Sequence, residues 1–160
     1  MRLVAIDPDT KKLGYAHFFV ASLRYAGAHD IDNVLARLKA HKPHLVLCEM
    51  PQQYGRKGDQ RDFLALARVV GRIEQTCADL NLRFEAVKPA QWKGTTPKAV
   101  CTLRAWEALE PRESWGVHAP RTALAKLERG QGLTSGEGSD VLDAIGIGLW
   151  KLGRLHKKLF

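Results

Sequence analysis

Residues 3–6, Leu3-Val4-Ala5-Ile6, form an unbroken apolar run of strand-forming residues, the pattern of a central strand buried on both faces. The run stops at Asp7-Pro8-Asp9, where proline presets φ for a turn. Residues 13–20 read as a second strand and 22–26 as a shorter third. Asp30 stands in N-cap position ahead of Ile31, Val34, Leu35 and Leu38, an apolar stripe at helical spacing. Pro43 separates that helix from Leu45-Val46-Leu47-Cys48, which repeats the buried-strand pattern and also runs into an acid, Glu49.

Beyond Glu49, residues 51–59 are polar and basic and predict a loop. Phe63, Leu66, Val70, Ile73, Cys77 and Leu80 then recur at three- and four-residue spacing, which predicts a long helix over 60–80. Residues 82–87 alternate like a strand, and Pro97 suits the first turn of a helix running to 109. Residues 110–138 are less regular, with a short helix over 122–129 and a Gly- and Ser-rich stretch, 130–138, that reads as mobile. A last helix covers 139–155. The order is β-β-β-α-β-α-β-α, an insert, then α. Helices between the later strands require parallel pairing, and the opening strands pair as antiparallel hairpins. The expectation is an α/β fold with a five-stranded mixed sheet flanked by helices. No repeat or linker divides the chain, so residues 1–160 read as a single domain, close to the usual size of about 100–150 residues.

Composition narrows this picture moderately. With 45% apolar and 26% charged residues, the chain has the means for an ordinary core. Its formal net charge of +8 favours a polyanionic partner, since each Lys or Arg that neutralises a phosphate releases a counterion. Cys48, Cys77 and Cys101 are widely separated and odd in number, which supports neither a zinc knuckle nor a disulfide framework and predicts reduced core residues. No leader-like segment opens the sequence, and no apolar run approaches the ~20 residues that span a bilayer. The expected setting is cytoplasmic, without a membrane partner.

The chemistry concentrates in acids. If the strands ending at Asp7 and Glu49 lie side by side and parallel, both carboxylates emerge at one sheet edge, where α/β proteins tend to place their sites. Asp140 and Asp143, spaced i and i+3, share one face of the last helix. Four converging negative charges repel, and a divalent cation relieves that repulsion. Hard oxygen ligands suit Mg²⁺ or Mn²⁺. Each acid alone has a plainer reading. Asp7 before Pro8 suits a turn, Glu49 a solvated strand end, and Asp140 an N-cap with Asp143 at N3. It is the set of four that points to a metal centre.

LVAIDPDTKKLGYA resembles the first strand and hairpin of RuvC-type Holliday junction resolvases of the RNase H-like superfamily, with Asp7 at the metal position and Gly14 in the second strand. LVLCEMPQQYGRKGD is similar to their next acid-bearing strand and DNA-facing loop, with Glu49 at the second ligand. FEAVKPAQWKGTTPKAV resembles their fifth strand and the turn into a lysine-bearing helix, with Lys98 at that lysine. SDVLDAIGIGLW resembles their closing helix, with Asp140 and Asp143 at the paired acids. The likeness runs through nearly the whole chain in order. The insert at 110–138 is longer than in compact bacterial members and resembles divergent phage-type ones.

The resemblance implies an RNase H-like fold and a structure-selective endonuclease of DNA recombination and repair in a bacterial or phage-infected cell. Asp7, Glu49, Asp140 and Asp143 would hold two Mg²⁺ ions, Mn²⁺ substituting, with Lys98 beside them. Products would carry 5′-phosphate and 3′-hydroxyl ends. Arg56, Lys57, Arg61, Lys93 and Lys98 are candidates for DNA contact, against the plainer reading of solvated basic residues. Tyr54 is a candidate for stacking on an unpaired base. Two symmetric cuts per junction imply a twofold homodimer, and the helix over 60–80 is the candidate interface. Lys151, Arg154, His156, Lys157 and Lys158 read as a solvated helix end, and Trp92, Trp106, Trp115 and Trp150 as core or interface aromatics. Three alternatives stand beside this reading. One is an RNA/DNA-hybrid or RNA-processing nuclease of the same fold, and another a non-catalytic junction-binding module. The third, an actin-like nucleotide-binding domain, is disfavoured by a short chain without a second phosphate loop.

Overall fold

The apolar runs become strands, and their alternation feeds two cores. In the computed structural model, which describes residues 1–52 and 60–155, β1 (Arg2–Asp7) pairs antiparallel with β2 (Leu13–Phe19), and β2 antiparallel with β3 (Ser22–His29). On its other side β1 pairs parallel with β4 (Leu45–Glu49), which pairs parallel with β5 (Arg83–Val87). The five-stranded mixed sheet therefore has the order β3-β2-β1-β4-β5, the architecture expected from the sequence. Successive β1 side chains point to opposite faces. Val4 and Ile6 join Leu13, Tyr15, Val46 and Cys48 in one buried cluster. It is covered by α1 (Ile31–His41) and α2 (Gln60–Asp79) through Val34, Leu38, Val70, Ile73 and Cys77. Leu3 and Ala5 join Ala16, Phe18, Leu45 and Leu47 in a second cluster, under α4 (Lys98–Glu107) and α7 (Glu137–Lys151). Two layers of helices thus sandwich the sheet. All three cysteines are free and buried, as expected. Among the described residues no helix is long and apolar enough to cross a membrane.

Local signals placed several boundaries correctly. Asp30 caps α1, its side chain accepting from the Asn33 N–H at 2.8 Å. Asp9 accepts from the amides of Lys11 and Lys12, closing the turn that follows Asp7-Pro8. Between β2 and β3 the chain reverses through Val20 and Ala21 at φ 48° and 62°, the paired positive φ of a tight hairpin turn, occupied here by non-glycine residues.

The second half departs from the sequence reading. A short helix not anticipated, α3 (Pro89–Trp92), follows β5 directly. The insert folds as α5 (Pro111–Ser114) and α6 (Arg121–Glu128), and between them it covers the open edge of the sheet. The Ala26 N–H donates to the Gly116 carbonyl and the His118 N–H to the Ala26 carbonyl, each at 2.8 Å, which makes a parallel bridge between Ala26 and Val117. An edge strand offers unpaired groups to other chains, and this segment occupies them. A Cβ at Gly116 would stand 2.8 Å from the Arg24 carbonyl oxygen, so the approach needs glycine.

The stretch at 130–138, expected to be mobile, is instead fastened to α4. The amide of buried Leu133 donates to the Thr102 hydroxyl at 2.8 Å, and that hydroxyl reaches the Leu133 carbonyl at 3.0 Å. A Cβ at Gly132 would lie 1.7 Å from the Ala99 carbonyl oxygen, so here glycine marks close packing rather than freedom. The last helix runs over Glu137–Lys151 rather than 139–155. Gly136 at φ 85° starts it, and Gly153 at φ 70° lies just past its end, where a left-handed residue terminates a helix.

Candidate active site

Three elements bring four carboxylates together. Asp7 ends β1 and Glu49 ends β4; the strands are parallel neighbours with Ile6 opposite Cys48, so both acids leave the sheet at the same edge. Asp140 and Asp143 come from α7, and Gly14 sets their position. Gly14 lies opposite Asp7 in the β1–β2 register, and a Cβ on it would stand 2.0 Å from the Asp140 carbonyl oxygen. Only a glycine lets the first turn of α7 touch the strand there. An ion pair of Lys12 with Glu137, at 3.3 Å, ties the same turn to the β1–β2 loop.

The cap reading of Asp140 is corrected by the position of the helix start. Gly136 is the N-cap and makes no side-chain cap bond, which puts Asp140 in the first turn with its carboxylate available. That carboxylate lies 3.7 Å from Lys98 Nζ. Asp143, one turn on, is only 1% exposed; its Oδ2 is 3.3 Å from Lys98 Nζ and 4.0 Å from Lys93 Nζ, while its Oδ1 is buried and unpartnered among the described residues. Glu49 accepts from the Trp92 indole N–H at 2.6 Å and from Lys93 Nζ at 3.3 Å.

The electrostatics of the four acids agree. Burial pushes Asp7 well above the ordinary carboxylate range, and repulsion from Asp143, Glu49 and Asp140 adds to it, opposed by Lys98. Burial also raises Glu49 against the pull of Lys93 and Trp92, and raises Asp143 against Lys98 and Lys93. Asp140 is lifted to about 6, again chiefly by burial. In Lys93 and Lys98 burial acts downwards, but the surrounding acids outweigh it and both are raised. Among the described residues, Glu49, Asp140 and Asp143 pair with two ammonium groups and Asp7 interacts with them electrostatically, so the acids outnumber the cations four to two.

As placed, no three of the described His, Cys, Asp or Glu side chains share a chelating geometry; the acids are spread around the two lysines. The donor set nevertheless fits a hard divalent cation. All four groups are carboxylates, and Asp143 Oδ1 is a buried acceptor without a partner, the kind of orphan that a metal would satisfy. An open pocket of about 370 Å³ adjoins the cluster, walled by Asp7, Glu49, Phe63 and Leu66 and by a fifth acid, Asp62, which the sequence reading did not single out.

The remaining candidates divide. Lys98 lies at the acids as expected. Lys93, expected on DNA, is drawn inward to Glu49. Arg61 is exposed on the first turn of α2. Tyr54, Arg56 and Lys57 lie outside the described residues, as do His156, Lys157 and Lys158. Trp92 is a core aromatic, as expected, and its indole N–H also donates to Glu49, a contact no local pattern signals because its partner is 43 residues away. Trp106 and Trp150 pack on the core, whereas Trp115 is 80% exposed. The solvated-end reading holds for Lys151, exposed and in a surface pair with Glu85 at 2.6 Å, and fails for Arg154, which makes a two-pronged contact with buried Glu113 at 2.6 and 2.7 Å.

No protein-family model matches the chain, and no curated protein matches it. Solved structures do. Thermus thermophilus RuvC in complex with a Holliday junction substrate superposes with a TM-score of 0.56 at 15% identity, covering 96% of this chain and 98% of that one. Fowlpox virus resolvase with its substrate Holliday junction DNA gives 0.59 at 15% identity, covering 98% and 100%. The yeast mitochondrial Holliday junction resolvase gives 0.50 at 13% identity, covering 96% and 81%. Across nearly its whole length, this chain has the RNase H-like fold of these three resolvases.

Proposed function

We propose that this chain is a metal-dependent endonuclease that resolves four-way DNA junctions. The observation that carries the reading is the meeting of Asp7, Glu49, Asp140 and Asp143 at one sheet edge, on a fold shared with resolvases, two of them solved with junction DNA. The four acids would hold Mg²⁺ or Mn²⁺, and they are enough ligands for two ions. Bound cations supply Lewis-acid stabilisation of the scissile phosphate and an activated water.

The chain's own residues supply the rest. Lys98 is the more exposed of the two site lysines, 38% against 20% for Lys93, which favours it as the group that meets a phosphate oxygen. Arg61, with Arg56, Lys57 and Tyr54 of the preceding segment, would hold the DNA arms, consistent with the +8 charge. A twofold homodimer would deliver the paired cuts. Its candidate surface is α2, where Leu64 is 58% exposed and Gly71 faces open space.

The test compares a four-way junction, a nicked duplex and an RNA/DNA hybrid with Mg²⁺ and with EDTA. Symmetric cutting confined to the junction, and abolished by EDTA, is the expected result. Preferred cutting of the hybrid would move the reading to a hybrid nuclease of the same fold. Tight junction binding without a cut in Mg²⁺ would reduce the protein to a binding module.

A further inference from the structure

Glu49 is held by two consecutive residues. Trp92 and Lys93 close the stiff turn of α3, in which the Gln91 and Lys93 amides donate to the Lys88 and Pro89 carbonyls and the Gln91 side chain accepts from the Lys88 N–H at 2.7 Å. From that turn the Trp92 indole N–H, a donor only, reaches Glu49 Oε2 at 2.6 Å. Lys93 Nζ takes the other oxygen, Oε1, at 3.3 Å and lies 4.9 Å from the centroid of the Trp92 ring. The ring, 5% exposed, is seated on α7: a Cβ at Gly146 would stand 2.6 Å from its Cζ3. Gly146 is three residues past Asp143. Trp92 therefore links the helix that carries one candidate ligand to the carboxylate of another.

The two holds differ in kind. The indole is fixed by its packing and donates to Glu49 without carrying a charge of its own. The lysine is a point charge on a flexible stem, 20% exposed, shared with Asp143 at 4.0 Å. We propose that Trp92 is a positioning residue that immobilises Glu49 through Oε2 and presents Oε1 to a divalent cation, with Lys93 the counter-ion that the cation displaces. This rests on the metal-nuclease reading above. Outer-shell partners of metal ligands commonly contribute ten- to a hundredfold to metal affinity.

The test measures the Mg²⁺-dependent rise in Tm of the DNA-free protein, and the Mg²⁺ dependence of single-turnover junction cleavage, for wild type, Trp92→Phe and Lys93→Met. Trp92→Phe keeps the ring and removes the donor. It is expected to raise the Mg²⁺ midpoint about tenfold in both readouts, with the cleavage rate recovered at saturating Mg²⁺. Lys93→Met, which leaves the core intact, is expected to move the midpoint the other way. An unchanged midpoint in Trp92→Phe, or a lost rate that Mg²⁺ does not recover, overturns the positioning role. Should Trp92→Phe fail to fold, Lys93→Met decides: a midpoint unchanged or raised overturns the pairing. A wild type with neither a Mg²⁺-dependent Tm nor cleavage sinks the metal-nuclease reading itself, a result distinct from failure of the variants alone.

Discussion

Glu113 and Asp143 have side chains that are each 2% exposed, and the molecule treats them in opposite ways. Glu113 accepts from the Leu23 and Glu110 amides at 2.6 and 2.8 Å and from both terminal nitrogens of Arg154. Burial alone would raise its carboxyl, but these donors outweigh burial and hold it down to about 2. Arg154 also donates to the carbonyls of Ala21 and Ala108, so one ion pair fastens the insert, the β2–β3 turn and the end of α7. Asp143 has one oxygen without a partner among the described residues and shares its two lysines with two other acids, Glu49 and Asp140. A carboxylate that only stabilises the fold is fully satisfied, as Glu113 is. One kept short of donors among like charges is what the proposed cation site requires.

The most damaging way to break this comparison is to remove the satisfied side. Arg154→Ala strands a buried Glu113 charge and is expected to cost about 3–5 kcal/mol of unfolding free energy in a urea melt, with any change in cleavage secondary to unfolding. Gly14→Ala strikes the other side. Its Cβ would meet the Asp140 carbonyl, so α7 and β2 must part, at about 1–3 kcal/mol. Because that contact places two of the four acids, cleavage should fall well beyond what the lost stability explains. Asp140→Asn should act in the reverse sense in cation-free buffer. It removes a charge from a repelling cluster, and on the order of 1 kcal/mol of stability should be gained once the lost Lys98 contact is set against it.

The smallest effect is in the pH profile, where the two regions pull in opposite directions. Glu113 has a folded pKa depressed to about 2, so its contribution is present above the ordinary glutamate range and lost as pH falls from about 4.5 towards 2. Asp140, raised to about 6, binds its proton more tightly when folded, so it opposes folding increasingly as pH rises from about 4 through 6. Cation-free protein should therefore be most stable in mildly acidic solution, with Mg²⁺ restoring stability on the neutral side. A cation-free Tm that climbs steadily to pH 7 would contradict this.

What the sequence disclosed follows the range of the interaction. Asp7 and Glu49 were legible because each ends an apolar run, and a run of that kind fixes strand, burial and edge together. Asp143 was legible from helical spacing. Asp140 was ambiguous because the true start of α7 is Gly136, which uses backbone conformation and carries no capping side chain for a pattern to detect. Three features were hidden for another reason: their partners are remote in sequence. Trp92 meets Glu49 across 43 residues, Arg154 meets Glu113 across 41, and Leu133 meets Thr102 across 31. The glycines at 130–138 read as freedom, yet Gly132 is packed against the Ala99 carbonyl. Composition alone does not separate a glycine that loosens a chain from one that lets two backbones touch.

The most direct measurement is cleavage of a synthetic four-way junction in Mg²⁺ by Asp7→Asn beside wild type, with junction binding and the cation-free Tm followed on the same samples. Asp7 is raised chiefly by burial and further by repulsion from all three of the other acids. We expect wild type to cut, and Asp7→Asn to bind the junction, melt no lower in the absence of cations, and leave the DNA intact. Undiminished cutting by Asp7→Asn would contradict the assignment of the carboxylate cluster as the active site.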